Sequence, residues 1–224
     1  MNHGQEIAKF GLAIQAIKLN PKNPFLWASG YHMPIYNDNR MFLLFPKYRG
    51  IIIEGFKEII ETEKIKFDII AGTSTAGIPH GALLADRLNV PFIYIRDKAK
   101  THGLKNQIEG IDAENDLEQN SVIVIEDLIS TGGSSARAVQ AVRDANGVVE
   151  YCISIFNYEL DKAASAFNKL DIPCKTLSIL RYDVLLKTAK EIGYMSDTQI
   201  KILKEWKANP FKWGQKHGFP KIEK

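Results

Sequence analysis

A chain of 224 residues can bury one substantial core, and an apolar share of 45% with 25% charged residues is that of a soluble globular protein. The net charge of +3 is too mild to argue for a nucleic-acid partner. The chain holds no run of about 18 apolar residues to span a membrane, and its first residues lack the basic start and apolar stretch of a signal peptide, so a cytoplasmic protein is expected. Cys152 and Cys174 have no metal-ligand spacing and read as buried, reduced thiols.

In chain order, Ile7, Phe10, Ile14 and Ile17 recur at helical spacing and predict an amphipathic helix over 6–19, stopped by Asn20-Pro21. Residues 25–40, Phe-Leu-Trp-Ala-Ser-Gly-Tyr-His-Met-Pro-Ile-Tyr-Asn-Asp-Asn-Arg, are aromatic and turn-rich. They predict short strands around Gly30 and Pro34, forming a flap apart from the main sheet. A helix over 47–62 follows, with Ile52, Phe56, Ile59 and Ile60 on one face.

Strands and helices then alternate: a strand over 67–71, a loop over 72–77, a helix over 78–88 and a strand over 91–95. That alternation predicts an α/β fold, a doubly wound and mostly parallel sheet. The loop, Gly72-Thr-Ser-Thr-Ala-Gly77, could hold an anion on backbone N–H groups, although many strand-to-helix turns look like it. Residues 96–120 are polar, long and without periodicity, which in a compact domain points to a lid. Arg96, Lys98, Lys100 and His102 concentrate positive charge at its start, and Gly103 and Gly110 could serve as hinges. Charge runs are usually solvated faces. Here the run follows a strand that ends at the expected crevice, where a cationic lid could neutralise a departing anion and exclude water.

The richest stretch is Ser121-Val-Ile-Val-Ile-Glu-Asp-Leu-Ile-Ser-Thr-Gly-Gly-Ser-Ser135. Val122 to Ile125 reads as a strand buried on both faces. Glu126 and Asp127 stand at its carboxyl end, where open α/β sheets bind ligands. Leu128, Ile129, Ser130, Thr131, Gly132, Gly133 and Ser134 lead into a helix, so free N–H groups and hydroxyls face whatever anion lies in the turn. Carboxylates for vicinal hydroxyls beside a donor nest suit a ribose 5-phosphate. No Gly-Lys-Ser/Thr closes the loop and no Gly-x-Gly-x-x-Gly occurs, so it is neither a P-loop nor a dinucleotide fingerprint. Beyond it come a strand over 148–156, a helix over 159–170, a strand over 174–179, and a helix opened by the capping box Ser196-Asp-Thr-Gln199 with Ile200, Leu203 and Trp206 on one face.

These motifs resemble those of the orotate phosphoribosyltransferases, of the type I phosphoribosyltransferase family, over nearly the whole chain. The resemblance is carried by Trp27-Ala-Ser-Gly30 with Pro34 to Arg40, by Gly72 to His80, by Arg96-x-Lys-x-Lys-x-His-Gly103, by Gln107-Ile-Glu-Gly110 and by Glu126 to Ser134. It implies one phosphoribosyltransferase domain over 1–224: a helix and flap over 1–45, an α/β core over 46–180 with a lid near 97–112, and a helical segment over 181–224. It further implies Mg²⁺-dependent transfer of ribose 5-phosphate from phosphoribosyl pyrophosphate to N1 of orotate, by a homodimer whose lid reaches the partner's site.

Carried over by position, Arg96, Lys98, Lys100 and His102 would bind pyrophosphate, with Lys100 the main catalytic cation. Glu126 and Asp127 would hold the ribose hydroxyls, directly or through Mg²⁺-bound water, with Asp127 also catalytic and no direct protein ligand to the metal. Residues Leu128 to Ser134 would cradle the 5-phosphate, with Ser130 near orotate. Three positions depart from a familiar pattern of the family: Ala28 replaces a lysine, Asp97 replaces a lysine after the arginine, and Asn157 replaces an orotate-contacting arginine. Flap N–H groups near Gly30 to Ile35 are the expected substitute for binding the orotate carboxylate. A phosphoribosyltransferase for another base and a non-catalytic phosphoribosyl pyrophosphate sensor are the rival readings.

Overall fold

A computed structural model describes residues 2–97, 107–112 and 116–223; Lys98, Lys100 and His102 of the predicted lid lie outside the described residues. The Asn2 side chain accepts from the Gln5 N–H and so caps α1, His3–Ala13. The helix expected over 6–19 is therefore cut short. Gln15 takes a left-handed φ of 59°, and the chain re-enters the core as strand β1, Ile17–Leu19. Ile17 is fully buried all the same, so its apolar character matched the helical period while serving a strand.

The flap comprises two small ladders. Strands β2, Phe25–Leu26, and β3, His32–Met33, form an antiparallel hairpin. Strand β4, Ile35–Asn37, pairs antiparallel with β1. A 3₁₀ turn, Asn39–Leu44, leads into α2, Pro46–Thr62, where proline occupies the first turn and has no N–H to leave unpaired.

The main sheet contains β5, Ile69–Thr73; β6, Phe92–Ile95; β7, Ile108–Glu109; β8, Ser121–Ile129; β9, Val148–Asn157; and β10, Lys175–Arg181. Their spatial order is β10-β9-β8-β5-β6-β7. All neighbouring pairs are parallel except β6 with β7. The doubly wound, mostly parallel sheet read from the sequence is thus present. Strand β7, inside the segment expected to be a lid, was not foreseen, because two residues carry no readable period.

The run in β8 is apolar throughout because each face packs on a separate core. Ile123 and Ile125 join one cluster with Ile7, Phe56, Leu84 and Trp206, whereas Val122 and Val124 join a second with Val139, Val142 and Phe167. Helix α3, Gly77–Leu88, covers the first face and α4, Gly133–Asp144, the second. From β5 the chain crosses to β6 on one side, and from β8 it crosses to β9 on the other. The boundary between β5 and β8 is therefore the topological switch point, where the two loops diverge and leave a crevice.

The remaining helices are α5, Asp161–Asn168; α6, Tyr182–Glu191; α7, Asp197–Ala208; and α8, Pro210–Lys216. Ser196 and Gln199 form the capping box expected at the start of α7. Trp206 lies in the core with its Nε1 3.0 Å from the Met33 sulfur, tying α7 to the flap hairpin. Both cysteines are buried and unpaired, as expected.

Candidate active site at the sheet switch point

Both acids belong to strand β8, which continues to Ile129 rather than ending before them. The alternation of a strand then sends them to different surroundings. Glu126 is 8% exposed. Its Oε1 accepts from Thr73 Oγ1 at 2.8 Å and from the Asp127 N–H at 3.0 Å, and its Oε2 accepts from Ser135 Oγ at 2.9 Å. Burial, reinforced by the neighbouring Asp127 charge, raises its pKa to about 8 against the ordinary 4.5. Asp127 is also raised by burial, with the Leu128 N–H and the Arg40 charge opposing that rise. Arg40 itself is held by a two-pronged pair to Asp38, at 2.6 and 2.8 Å. Asn39 donates to the Asp127 carbonyl at 2.6 Å and so fixes the flap's base against the acidic strand.

The two loops at the switch point approach closely. A Cβ on Gly77 would collide with the Ile125 carbonyl and the Thr73 hydroxyl, and one on Gly72 would lie 2.8 Å from the Ile78 Cα. Both glycines of the first loop therefore serve close packing between strand and helix. In the second loop Gly132 takes a left-handed φ of 75° immediately before α4, and a Cβ there would meet the Ala163 backbone at 2.9 Å. The N–H groups of the first turn of α4 have no intrahelical acceptor and remain available to an anion.

Two cavities flank Leu128. One, of about 240 Å³, is lined by Thr73, Ser74, Arg96, Asp97, Gln107, Glu126, Asp127, Ser134 and Arg137. The other, of about 450 Å³, lies beneath the flap and is lined by Trp27, Ala28, Ser29, Tyr31, Tyr36, Asn37, Ser130, Thr131, Tyr158, Lys162 and Phe211. The first is polar and holds both acids; the second is largely aromatic.

Several residues singled out in the sequence meet here. Arg96, Glu126, Asp127, Leu128 and Ser134 line the polar cavity, and Leu128, Ser130 and Thr131 line the aromatic one. Ile129 is fully buried and supports the loop from behind. Gly132 and Gly133 shape the turn. Arg96 is paired with Glu109 at 3.1 Å, and its backbone N–H bonds the Gln107 carbonyl, so Arg96 and Gln107 both line the crevice. Asn157 turns elsewhere: its Oδ1 accepts from the Glu159 N–H at 2.6 Å, and it lines a different cavity. Flap N–H groups are partly used internally, Trp27 to the Tyr31 carbonyl and Gly30 to the Trp27 carbonyl, each at 2.9 Å.

Sequence reasoning missed Ser135, Arg137, Tyr158, Lys162 and Phe211. Ser135 stood in the central motif and could have been found from its nine-residue separation from Glu126 across one strand-turn-helix unit. The other four carry no local signal.

Fold and site together define a doubly wound α/β protein with a polar crevice at the switch point of its sheet. The family model for a phosphoribosyl transferase domain matches residues 46–184. The chain is 46% identical over 213 residues to an orotate phosphoribosyltransferase of Streptococcus agalactiae, covering 95% of this chain and 99% of that one. It is 45% identical to the orotate phosphoribosyltransferase of Lactococcus lactis subsp. cremoris, with the same coverage. Its fold matches the crystal structure of orotate phosphoribosyltransferase from Aeropyrum pernix with a TM-score of 0.69 at 22% identity, over 85% of this chain and 99% of that one. The chain belongs to the orotate phosphoribosyltransferase family.

Proposed function

We propose that the protein transfers the ribose 5-phosphate group from 5-phosphoribosyl 1-pyrophosphate to N1 of orotate, giving orotidine 5′-monophosphate and pyrophosphate. Family membership over nearly the full chain supports the reaction, and one structural observation supports its location. The polar cavity with Glu126 and Asp127 adjoins the aromatic cavity across Leu128, with the loop over 130–134 between them. A sugar held at the acids and loop would have its anomeric carbon near the aromatic side, where a planar base fits.

Breaking the anomeric carbon–oxygen bond leaves positive charge on the sugar and negative charge on pyrophosphate. The protein's task is to place countercharge and exclude water; no side-chain nucleophile is required. In this reading Asp127 accepts from the ribose hydroxyls and its charge favours the cationic sugar. Glu126, whose oxygens are already bonded to Thr73 and Ser135, orders the β5 and β8 loops and would reach the ribose only by giving up one of those bonds. Ser130, Thr131, Ser134 and the free N–H groups of the turn hold the 5-phosphate. Arg96 stands at the pyrophosphate end, joined there by Lys98, Lys100 and His102 when the lid closes, with Lys100 the principal cation for the leaving group.

Phosphoribosyl transferases generally use Mg²⁺ with this donor. Among the described residues no group of three His, Cys, Asp or Glu side chains could enclose a metal ion. Asp127, which lines the polar cavity, would suit instead a hard cation held chiefly by substrate oxygens and water. There it would neutralise pyrophosphate charge. A homodimer with the lid of one copy over the site of the other, and a single domain with residues 1–45 as its hood, complete the proposal.

The test is to mix protein, Mg²⁺, orotate and phosphoribosyl pyrophosphate and follow loss of orotate absorbance. Turnover that stops when either substrate is omitted supports the reading. No turnover under saturating conditions overturns it.

A further inference from the structure

Orotate differs from uracil by a carboxylate, and a pocket that selects it must supply a countercharge. The aromatic cavity has rings enough to stack a pyrimidine: Trp27 packs on Tyr158 at 5.5 Å, and Tyr31 meets Phe211 edge-on at 5.2 Å. Its wall contains one charged side chain among the described residues, Lys162. The positions that carry a lysine or an arginine in the familiar family pattern, and the Gly30 N–H, do not provide it. Position 28 is alanine, Asn157 lines another cavity, and the Gly30 N–H is committed to the Trp27 carbonyl.

We propose that Lys162 is the specificity-determining residue that pairs with the carboxylate of orotate, an inference that rests on the orotate reading above. Lys162 is the second residue of α5. That helix end is positively polarised and already carries an acid, Asp161, which lines a different cavity, whereas Lys162 lines the aromatic one. The ammonium lies 4.8 Å from the centre of the Phe211 ring, at the aromatic wall, and has no ion pair among the described residues. The ammonium thus places positive charge on one side of a ring-lined cavity. A planar anion entering between the rings would offset it. Gly132 packs directly on Ala163, so Ser130 and α5 approach the same ligand from adjoining walls.

A lysine so close to the 130–134 loop could instead meet the donor's 5-phosphate, and kinetics separate the two. Steady-state rates would be measured for the full chain and for Lys162→Met and Lys162→Arg, varying orotate and phosphoribosyl pyrophosphate in turn, with uracil as the carboxylate-free base. The loss of a charge-assisted contact predicts an orotate KM raised about 10- to 100-fold in Lys162→Met. The KM for phosphoribosyl pyrophosphate should change less than about 3-fold, and kcat/KM for orotate relative to uracil should fall in proportion. Lys162→Arg should recover much of the orotate KM.

An unchanged orotate KM in Lys162→Met, a rise confined to the donor, or an equal loss for orotate and uracil overturns the assignment while the orotate reading stands. Failure of the unsubstituted protein to use orotate overturns both.

Discussion

Ser135, in the first turn of α4, donates its hydroxyl to Oε2 of Glu126 at 2.9 Å, while Thr73 at the end of β5 closes on the other oxygen. One buried carboxyl thereby ties together the two loops that form the crevice. Its pKa, pushed up to about 8, means that the folded protein holds this proton where the unfolded chain has released it. Between about 4.5 and 8 the native state binds more protons than the unfolded state, so this group's contribution to stability is full below 4.5 and declines as pH rises through 8. The slope is at most about 1.4 kcal/mol per pH unit. Glu126→Gln keeps an acceptor for Thr73 and removes the titration. Chemical denaturation from pH 6.5 to 8.5 should show a flatter profile for the variant, and identical slopes would refute protonation of Glu126.

His80 should oppose that trend in acid. It is fully buried on α3, neither ring nitrogen has a hydrogen-bond partner among the described residues, and burial lowers its pKa to about 4 from the ordinary 6.5. The unfolded chain takes up this proton first as pH falls. Stability is therefore present above 6.5 and is lost as pH drops toward 4, again by at most about 1.4 kcal/mol per unit. His80→Leu should weaken the acid-side loss in urea titrations at pH 4.5 and 6.5. Because Glu126 acts in the opposite direction there, the double variant with Glu126→Gln gives the cleaner comparison.

Asp127→Asn removes one charge from the acid that faces the polar cavity, and Asn39, bonded to the Asp127 carbonyl, still anchors the backbone. The variant should melt within a few degrees of the parent. Its kcat/KM for phosphoribosyl pyrophosphate should fall at least 10-fold, consistent with loss of a charge-assisted contact. Unfolding at room temperature would point instead to a structural role for the carboxylate.

Lys100→Ala tests the lid chemistry. A cation that acts chiefly as pyrophosphate departs stabilises the transition state more than the bound substrates. Turnover should fall about 100-fold or more, on the scale of losing one preorganised electrostatic contact, while orotate binding in calorimetry changes little. Comparable losses in both would remove Lys100 from the catalytic role.

Strands β5, β6, β8, β9 and β10 were legible because their apolar runs sit between glycine-bearing loops, and α7 because its capping box names its start. The placement of the acids and of the turn over 130–134 at the crevice was legible for a similar reason: both lie in one strand-turn-helix unit. The boundary of α1 was not, since Ile17 satisfies a helical period and a buried strand equally. Strand β7 was too short to show alternation, and the segment expected to be a lid does return there to pair with β6. The aromatic cavity could not be read at all. Trp27, Ser130, Tyr158, Lys162 and Phe211 come from five separate parts of the chain and meet only after the flap, the sheet and α8 have packed together.

That packing includes a strap formed by the segment after α8. The Ile222 N–H donates to the Gly30 carbonyl at 2.9 Å, His32 Nδ1 lies 3.0 Å from the Pro220 carbonyl, and the Lys221 ammonium sits 5.2 Å from the centre of the Tyr31 ring. The segment after α8 thus lies across the tip of the flap hairpin, behind the residues that line the aromatic cavity. Gly30 is required twice over: its φ is 81°, and a Cβ would collide with the Ile222 carbonyl oxygen. Gly30→Ala must therefore strain the turn or displace the strap. The strained backbone alone costs about 1–2 kcal/mol, which would lower Tm by a few degrees in a chain of this size. The functional consequence should be selective, because Trp27 and Tyr31 border the base cavity whereas the acids lie on the other side of Leu128. Orotate KM should rise several-fold with the KM for phosphoribosyl pyrophosphate nearly unchanged. Truncation after Gly218 should reproduce the orotate effect without straining the turn. A truncated protein with parental KM for orotate would show that the strap does not position the flap.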